Sequence, residues 1–198
     1  MLEIDNLRVK QGAAELHYNL RALPGELLAI QGRSGVGKST LLHAIAGFLP
    51  VAGGDIRWKG RSLLKLTVEQ RPVSLLFQDH NLFEHINVWH NLRLGMPAEQ
   101  SPEPLHQAAE VLQVTELLQR KPSELSGGQR QRIGLIRALL RPEPIVLLDE
   151  PFAELDPQTR QLAAEWSRAT AKNGHKTLLL VTHQDEDVER VADRALQL

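Results

Sequence analysis

The chain of 198 residues contains no cysteine, which excludes disulfide bonds and thiolate chemistry. Neither sign of charge dominates: Lys and Arg total 23 against 24 Asp and Glu, so no bulk attraction to nucleic acid or to an anionic membrane is expected. No apolar run approaches the ~20 residues of a membrane-spanning helix, and Met1–Asp5 lacks the basic and apolar regions of a secretory signal. These absences predict a cytoplasmic protein that does not itself cross a membrane.

Short apolar runs alternate with helical patterns along most of the chain. Glu26–Gln31, Ile145–Leu148 and Thr177–Val181 have the length and composition of buried strands. Apolar strands separated by helices indicate a parallel sheet that is covered on both faces. The pattern therefore predicts an α/β fold, with a β-rich segment over about the first 60 residues.

The middle of the chain has a mainly helical pattern. From Gln78 to Glu124 the spacing of apolar residues predicts helices, including one over Glu110–Gln119. A further helix is predicted over Gln129–Leu140, with Ser126 as its N-cap. We expect a single domain over residues 1–198, in which a core of residues 1–78 and 143–198 is interrupted by a helical insertion at about 79–142.

The strongest local signal is the glycine-rich segment Gly32–Ser39, which fits the pattern G-x-x-x-x-G-K-[ST] at every position. It follows a predicted strand and precedes a predicted helix. Glycines let backbone N–H groups turn toward phosphate oxygens, and the helix N-terminus adds positive potential. Lys38 would reach the β- and γ-phosphates, and the Ser39 hydroxyl would ligate Mg²⁺. The segment predicts a phosphate site.

Two carboxylates follow the predicted strand Ile145–Leu148. Because parallel strands end at one edge of a sheet, Asp149 and Glu150 are expected near the glycine-rich segment. Asp149 would hold Mg²⁺ through water, and Glu150 would act as general base toward the attacking water. An apolar strand that ends in acids is common by itself. Together with the glycine-rich segment it predicts a nucleoside triphosphatase whose class stays open.

A second glycine pair lies in Leu125–Gln129, directly before a predicted helix. Gly127 and Gly128 permit close backbone approach, so this helix N-terminus is also suited to a phosphate. One phosphate group does not need two such cradles from one chain, so the second would serve a nucleotide held by another copy. The alternative is an ordinary loop with a serine N-cap.

At these residues the sequence resembles the ABC ATPase family. Gly32–Ser39 is similar to its Walker A motif, Ile145–Glu150 to its Walker B motif, and Leu125–Gln129 to its signature. The remaining elements follow in the family's order, with Gln78 as the Q-loop glutamine, Asp156 as the D-loop aspartate and His183 as the H-loop histidine.

The resemblance implies a P-loop NTPase core with a mostly parallel sheet, an N-terminal antiparallel β subdomain and an inserted α-helical subdomain. It implies ATP and Mg²⁺ as cofactors, with ATP held between two chains packed head to tail. The catalytic residues would be Glu150, His183 and Gln78, and the metal ligands Ser39, Gln78 and Asp149. The nucleotide-binding residues would be Gly32, Arg33, Ser34, Gly35, Val36, Gly37, Lys38, Ser39, Thr40, Ser126, Gly127, Gly128, Gln129 and Asp156.

The resemblance also implies a role as the motor subunit of a bacterial transporter. Arg71–Gln78 and the following Asn81–Phe83 look most like importer subunits, those for thiamine first, with polyamine, iron and sulfate importers similar. Partners would be a second ABC ATPase, identical or different, integral membrane permease subunits and a solute-binding protein, at the cytoplasmic face of the inner membrane. No nucleic acid is expected. A soluble ABC ATPase acting on ribosomes or DNA, and an export or membrane-remodelling ATPase, remain the alternatives.

Permease subunits would bind in a groove near Gln78, where Leu82 and Phe83 are expected to be exposed, unless they pack under the helical insertion. One departure from the family concerns adenine, which many members stack on an aromatic residue in an early loop. That loop, Lys10–Ala13, has none, and Tyr18 is expected in the core. Stacking is worth ~1–3 kcal/mol, so weaker ATP binding is predicted; a fluorescent-ATP titration that finds tight, adenine-selective binding would contradict this.

Overall fold

Strands and helices alternate in the computed structural model, which describes residues 1–12, 14–79 and 81–198. In chain order the elements are β1 (Leu2–Gln11), β2 (Ala14–Ala22), β3 (Leu27–Gln31), α1 (Lys38–Ala46), β4 (Gly53–Trp58), β5 (Arg61–Ser62), β6 (Val73–Leu76), α2 (Val88–Arg93), α3 (Glu103–Val111), α4 (Gly127–Leu140), β7 (Ile145–Asp149), α5 (Pro157–Asn173), β8 (Thr177–Val181), α6 (Asp185–Val191) and β9 (Arg194–Gln197). None of these described helices combines the length and apolar composition needed to cross a membrane.

A parallel sheet with the strand order β6-β7-β8-β3-β9 forms the centre of the described structure. Its register places Leu76, Leu148 and Leu180 level across β6, β7 and β8. On the other side of β8, Ile30 of β3 pairs with Val181. The carboxyl ends of these four strands therefore meet at one edge of the sheet, and the loops that follow them lie close together.

Side chains of β7 and β8 alternate between two hydrophobic clusters on opposite faces of the sheet. Val146 and Leu148 pack with residues of α3, α4 and α5. Ile145 and Leu147 pack on the other face with α1 and with the antiparallel sheet of order β2-β1-β4-β5. The predicted α/β fold, with a parallel sheet and an N-terminal antiparallel sheet, is confirmed.

The predicted helix over Glu110–Gln119 is wrong, because α3 ends at Val111. Gln113 adopts a left-handed φ of 54°. The N–H groups of Gln113 and Val114 donate to carbonyls in the last turn of α3 at 3.0 and 2.8 Å, the Schellman pattern that ends helices. The Arg132 guanidinium then donates to the carbonyl of Gln113 at 3.1 Å. The apolar residues after this turn are also buried in the core. Their spacing is therefore compatible with a helix, although the helix has already ended.

Helix α4 begins two residues before the predicted position, with Ser126 as its N-cap as expected. The N–H of Gln129 donates to Ser126 Oγ at 3.3 Å, and the N–H of Ser126 donates to Gln129 Oε1 at 2.9 Å. This reciprocal pair satisfies two donors at the helix end. A methyl group at Gly134 would lie 2.8 Å from Leu76 Cδ1, so α4 approaches β6 closely.

Candidate functional site

The glycine-rich segment Gly32–Ser39 connects β3 to α1 at the carboxyl edge of the parallel sheet. Gly35 and Gly37 adopt φ values of 80° and 105°, which glycine reaches without a steric penalty. Lys38 is buried, and its Nζ donates to the carbonyls of Gly32 and Arg33 at 2.8 and 3.0 Å. An ammonium group and a helix N-terminus thus lie at one end of the same loop, as phosphate binding requires.

Tyr18 and Leu16 of β2 pack behind this loop. A methyl group at Gly37 would lie 2.5 Å from Tyr18 Oη and 2.6 Å from Leu16 Cδ1, so the close packing requires glycine. The Tyr18 hydroxyl donates to the Gly37 carbonyl at 2.8 Å, and burial raises the pKa of Tyr18 to about 12. Tyr18 is 3% exposed, which confirms the prediction that it belongs to the core. Of the early loop predicted to face adenine, Ala13 lies outside the described residues.

Asp149 ends β7 in a buried position beside the phosphate loop, with 1% of its surface exposed. Burial raises the pKa of Asp149, against the opposing effect of a hydrogen bond with the Ser39 side chain. Its Oδ1 has no hydrogen-bond partner among the described residues. A carboxylate oxygen that accepts no hydrogen bond, next to a serine hydroxyl, offers the hard oxygen ligands that Mg²⁺ prefers. These two residues therefore fit a magnesium ion that is bound together with phosphate.

Glu150 follows with a φ of 47°, an uncommon value for a residue that carries a side chain. Its N–H donates to the carbonyl of Val181 on β8 at 2.9 Å. Both of its carboxylate oxygens lie 3.0 Å from Nδ1 of His183, so Nδ1–H donates to the carboxylate. The Glu150 side chain is 16% exposed and that of His183 is 59% exposed, so the pair lies at a solvent-accessible surface.

The phosphate loop, Glu150 and His183 line one open cleft of about 350 Å³. The buried Asp149 is not part of this lining, and neither are Gly32, Arg33 and Val36 of the predicted phosphate site. Gln78, two residues beyond β6, reaches the same cleft. The lining also contains Gln11, which sequence reasoning missed; its Oε1 accepts from the Thr40 hydroxyl at 3.3 Å. The structure therefore brings together these predicted residues: Ser34, Gly35, Gly37, Lys38, Ser39, Thr40, Gln78, Glu150 and His183.

The second glycine pair lies in a different cleft, of about 410 Å³, which shares no lining residue with the first. Ser126, Gly127 and Gly128 line it together with Asp156, while Gln129 takes part in the N-terminal cap of α4. Asp156 caps α5, and hydrogen bonds from Thr159, its hydroxyl foremost, lower the pKa of Asp156. The structure thus does not bring the signature residues to the phosphate loop of their own chain.

Gln131 joins α4, the helix that begins at the second glycine pair, to Glu150 of the first cleft. Sequence reasoning missed this residue. It is 5% exposed and lies four residues after Gly127, on the same face of α4. Its Nε2–H donates to the carbonyl oxygen of Glu150 at 3.0 Å. Helical spacing from Gly127 was the available signal, but the contact with Glu150 depends on tertiary packing.

A groove of about 310 Å³ lies between the parallel sheet and α4, and both aromatic and charged side chains line it. Phe48 and Phe83, each 50% exposed, lie in its lining. The prediction that Leu82 is exposed is wrong, because this side chain packs half-buried against the core. The guanidinium of Arg137 lies 5.7 Å from the Phe83 ring, and burial lowers the pKa of Arg137 to about 10. Phe83 is thus at the surface, whereas the adjacent Leu82 packs against the core.

In residues 1–12, 14–79 and 81–198, no group of three or more His, Cys, Asp or Glu side chains is arranged to hold a metal ion. His80 lies outside these residues. The donors of the first cleft suit a metal that shares its coordination with phosphate oxygens.

Comparisons with known proteins agree with this geometry. The ABC transporter family matches residues 16–153. The thiamine import ATP-binding protein ThiQ of Histophilus somni is 47% identical over 188 residues, which cover 92% of this chain and 88% of that protein. Its counterpart in Cereibacter sphaeroides is 46% identical over 206 residues, covering 99% and 87%. Among solved structures, the ATP-binding cassette MJ0796 in a dimeric post-hydrolysis state bound to ADP and Pi superposes with a TM-score of 0.87 at 26% identity, covering 100% of this chain and 94% of that one.

Proposed function

Since the chain belongs to the ABC transporter family and is an ATP-hydrolysing subunit of it, we propose that it powers the uptake of thiamine by a bacterial importer. The observation that carries the proposal is the likeness to thiamine import proteins along nearly the whole chain. The geometry of the first cleft supports it, because a phosphate loop, a buried carboxylate and an acid paired with histidine lie at one sheet edge.

ATP would bind with its phosphates along Gly32–Ser39 and Thr40, where Lys38 neutralises charge on the β- and γ-phosphates. Ser39, Gln78 and Asp149 would hold Mg²⁺. When bound, the ion withdraws charge from the phosphate oxygens and so favours attack at the γ-phosphorus. The unpartnered oxygen of Asp149 supports this assignment.

Hydrolysis would follow from Glu150, Gln78 and His183, which line the same cleft. Glu150 would accept a proton from water as the water oxygen bonds to the γ-phosphorus and the bond to the bridging oxygen breaks, which yields ADP and phosphate. Gln78 would orient this water. His183, already 3.0 Å from Glu150, would contact the γ-phosphate and restrain the carboxylate.

Two chains would complete each site. We assign Ser126–Gln129 of one chain to the γ-phosphate of the nucleotide bound by its partner, with Asp156 crossing the interface. The separation of the two clefts within one chain supports a head-to-tail arrangement. Nucleotide would then hold the dimer closed until hydrolysis releases it.

Permease subunits of the membrane would bind the groove that contains Phe83. The groove would lie at the junction of a core formed by residues 1–78 and 143–198 and a helical insertion at about 79–142. The chain would work at the cytoplasmic face of the inner membrane, with a solute-binding protein on the other side. No nucleic acid takes part.

The test is a mild-detergent purification of the tagged chain from its own cells. We expect a multi-span membrane protein and a thiamine-binding solute-binding protein to co-purify. Phe83→Asp should lose the membrane protein, whereas Val111→Asp, which alters a side chain exposed to 44% outside the groove, should retain it. Recovery with ribosomes or DNA-repair proteins, or retention of the permease by both variants, would contradict the proposal.

A further inference from the structure

Glu150 has a backbone conformation that its own side chain does not favour. At a φ of 47° a residue with a Cβ persists when surrounding contacts hold it there. On one side, its N–H donates to Val181 on β8 at 2.9 Å. On the other side, its carbonyl accepts from Ala153 N–H at 3.3 Å and from the Gln131 side chain at 3.0 Å. Of these partners, Gln131 is the one that belongs to α4.

Helix α4 carries Gln131 in a fixed place. Its first turn is capped by Ser126. Along one face of the helix, the Gln131 amide bonds to the Glu150 carbonyl after β7, and Gly134 approaches β6. At Gly134 the approach is so close that an added methyl group would lie 2.8 Å from Leu76 Cδ1. Any shift of α4 relative to the sheet therefore moves the Gln131 amide relative to the Glu150 carbonyl.

We propose that Gln131 is a positioning residue for hydrolysis, which holds the Glu150 peptide so that the carboxylate faces the phosphate cleft. The side chain is 5% exposed, and its amide joins the helix that begins at the signature to the residue assigned as base. The rate of ATP hydrolysis then depends on the position of α4, because the hydrogen bond from Gln131 to the Glu150 carbonyl transmits that position to the carboxylate. The inference rests on the proposed role of Glu150.

Gln131→Met tests it in the full-length protein, because methionine has a similar length and no N–H donor. The kcat for ATP hydrolysis should fall about 10- to 100-fold, as for a small misplacement of a catalytic group, while the KM for ATP stays within about twofold. Gln161→Met is the matched control, since Gln161 is exposed on α5 and bonds to Glu165 of its own helix. Its kcat should be unchanged.

A double variant shows whether Gln131 acts through Glu150. Combined with Glu150→Gln, Gln131→Met should cause no further loss of the residual rate, because a positioning residue has nothing left to position. An additional loss equal to that of the single change would overturn the proposal, as would an unchanged kcat in Gln131→Met. If Gln131→Met does not fold, Gln131→Asn carries the same test, since its shorter side chain withdraws the amide.

The failure of the proposed function is distinguishable from the failure of this inference. Glu150→Gln at the wild-type rate would remove Glu150 as base and the positioning role with it. An inactive Glu150→Gln together with a fully active Gln131→Met would overturn the positioning role alone.

Discussion

At the scale of single residues, the hydroxyl of Tyr18 ties the antiparallel sheet to the phosphate loop. Its hydrogen bond to the Gly37 carbonyl joins residues 19 positions apart. The sequence placed Tyr18 in the core by the pattern of its strand, but no local pattern indicated its polar partner. Gly32–Ser39, Asp149 and Glu150 could be predicted because their chemistry lies in contiguous residues. Contacts such as that of Gln131 depend on how distant elements pack.

Tyr18→Phe is expected to lower the free energy of unfolding by about 1 kcal/mol, the usual contribution of one hydrogen bond. The Gly37 carbonyl keeps its helical partner, Leu41 N–H at 3.0 Å, which limits the loss. The KM for ATP should rise, because the loop loses one of its supports. Chemical denaturation and ATPase kinetics measure the two effects.

Tyr18→Phe should also change how the free energy of unfolding depends on pH in the alkaline range. The pKa of Tyr18 is raised from 10.0 to about 12, so the folded chain keeps a proton that the unfolded chain releases. The free energy of unfolding of the wild type should therefore fall as the pH rises from 10 to 12, and this contribution should be missing in Tyr18→Phe. Parallel pH profiles of the two proteins would contradict the assignment.

At the scale of elements, the end of α3 shows where sequence patterns become ambiguous. Apolar residues after Val111 recur at helical spacing, yet the chain turns at Gln113. Glycine usually marks such a turn, and here glutamine occupies the position. The strands β3, β7 and β8 were predicted to within one residue, because short apolar runs between helices have few other solutions in an α/β fold.

Gln113→Gly should raise the free energy of unfolding by about 0.5–1 kcal/mol, because glycine adopts the left-handed conformation without a Cβ clash. The Gln113 side chain is exposed, so no packing is lost. Gln107→Gly inside α3 is the control and should lower the free energy of unfolding by about 1 kcal/mol. Thermal denaturation that shows both variants equally destabilised would rule out the left-handed turn.

At the scale of the whole molecule, the phosphate loop and the glycine pair at Gly127 lie in different clefts of one chain. The two clefts share no lining residue in the part of the chain that the structure describes. This placement agrees with the sequence argument that one phosphate does not need two cradles, and the assignment of the second cradle to a partner's nucleotide stays a prediction. The prediction that Leu82 is exposed was wrong because the burial of a loop residue depends on the surface against which it packs, which the local sequence does not specify.

Mixing two inactive variants tests the head-to-tail arrangement. Lys38→Ala should lose nucleotide binding. Gly127→Ala should bind ATP without turnover, because its methyl group would obstruct the backbone surface that we propose approaches the partner's γ-phosphate. The Glu154 carboxylate beside Gly127 ends a flexible side chain and can move away from the added methyl group. In a mixed dimer one site carries both changes and the other carries neither. ATPase activity should therefore return on mixing, to about half per dimer at most if the sites turn over independently. No recovery in mixtures shown to form heterodimers would place both motifs in one chain's own site.

The level registers of the parallel strands also limit how this sequence can diverge over generations. Leu76, Leu148 and Leu180 are aligned, and a side chain to which we assign a role in hydrolysis follows each of them within three residues. Because successive side chains along a strand point to opposite faces, one inserted residue ahead of any of them would turn that group away from its partners. Descendant sequences should therefore accumulate insertions and deletions between α2 and α3, over residues 94–102, and preserve the lengths of β6, β7 and β8.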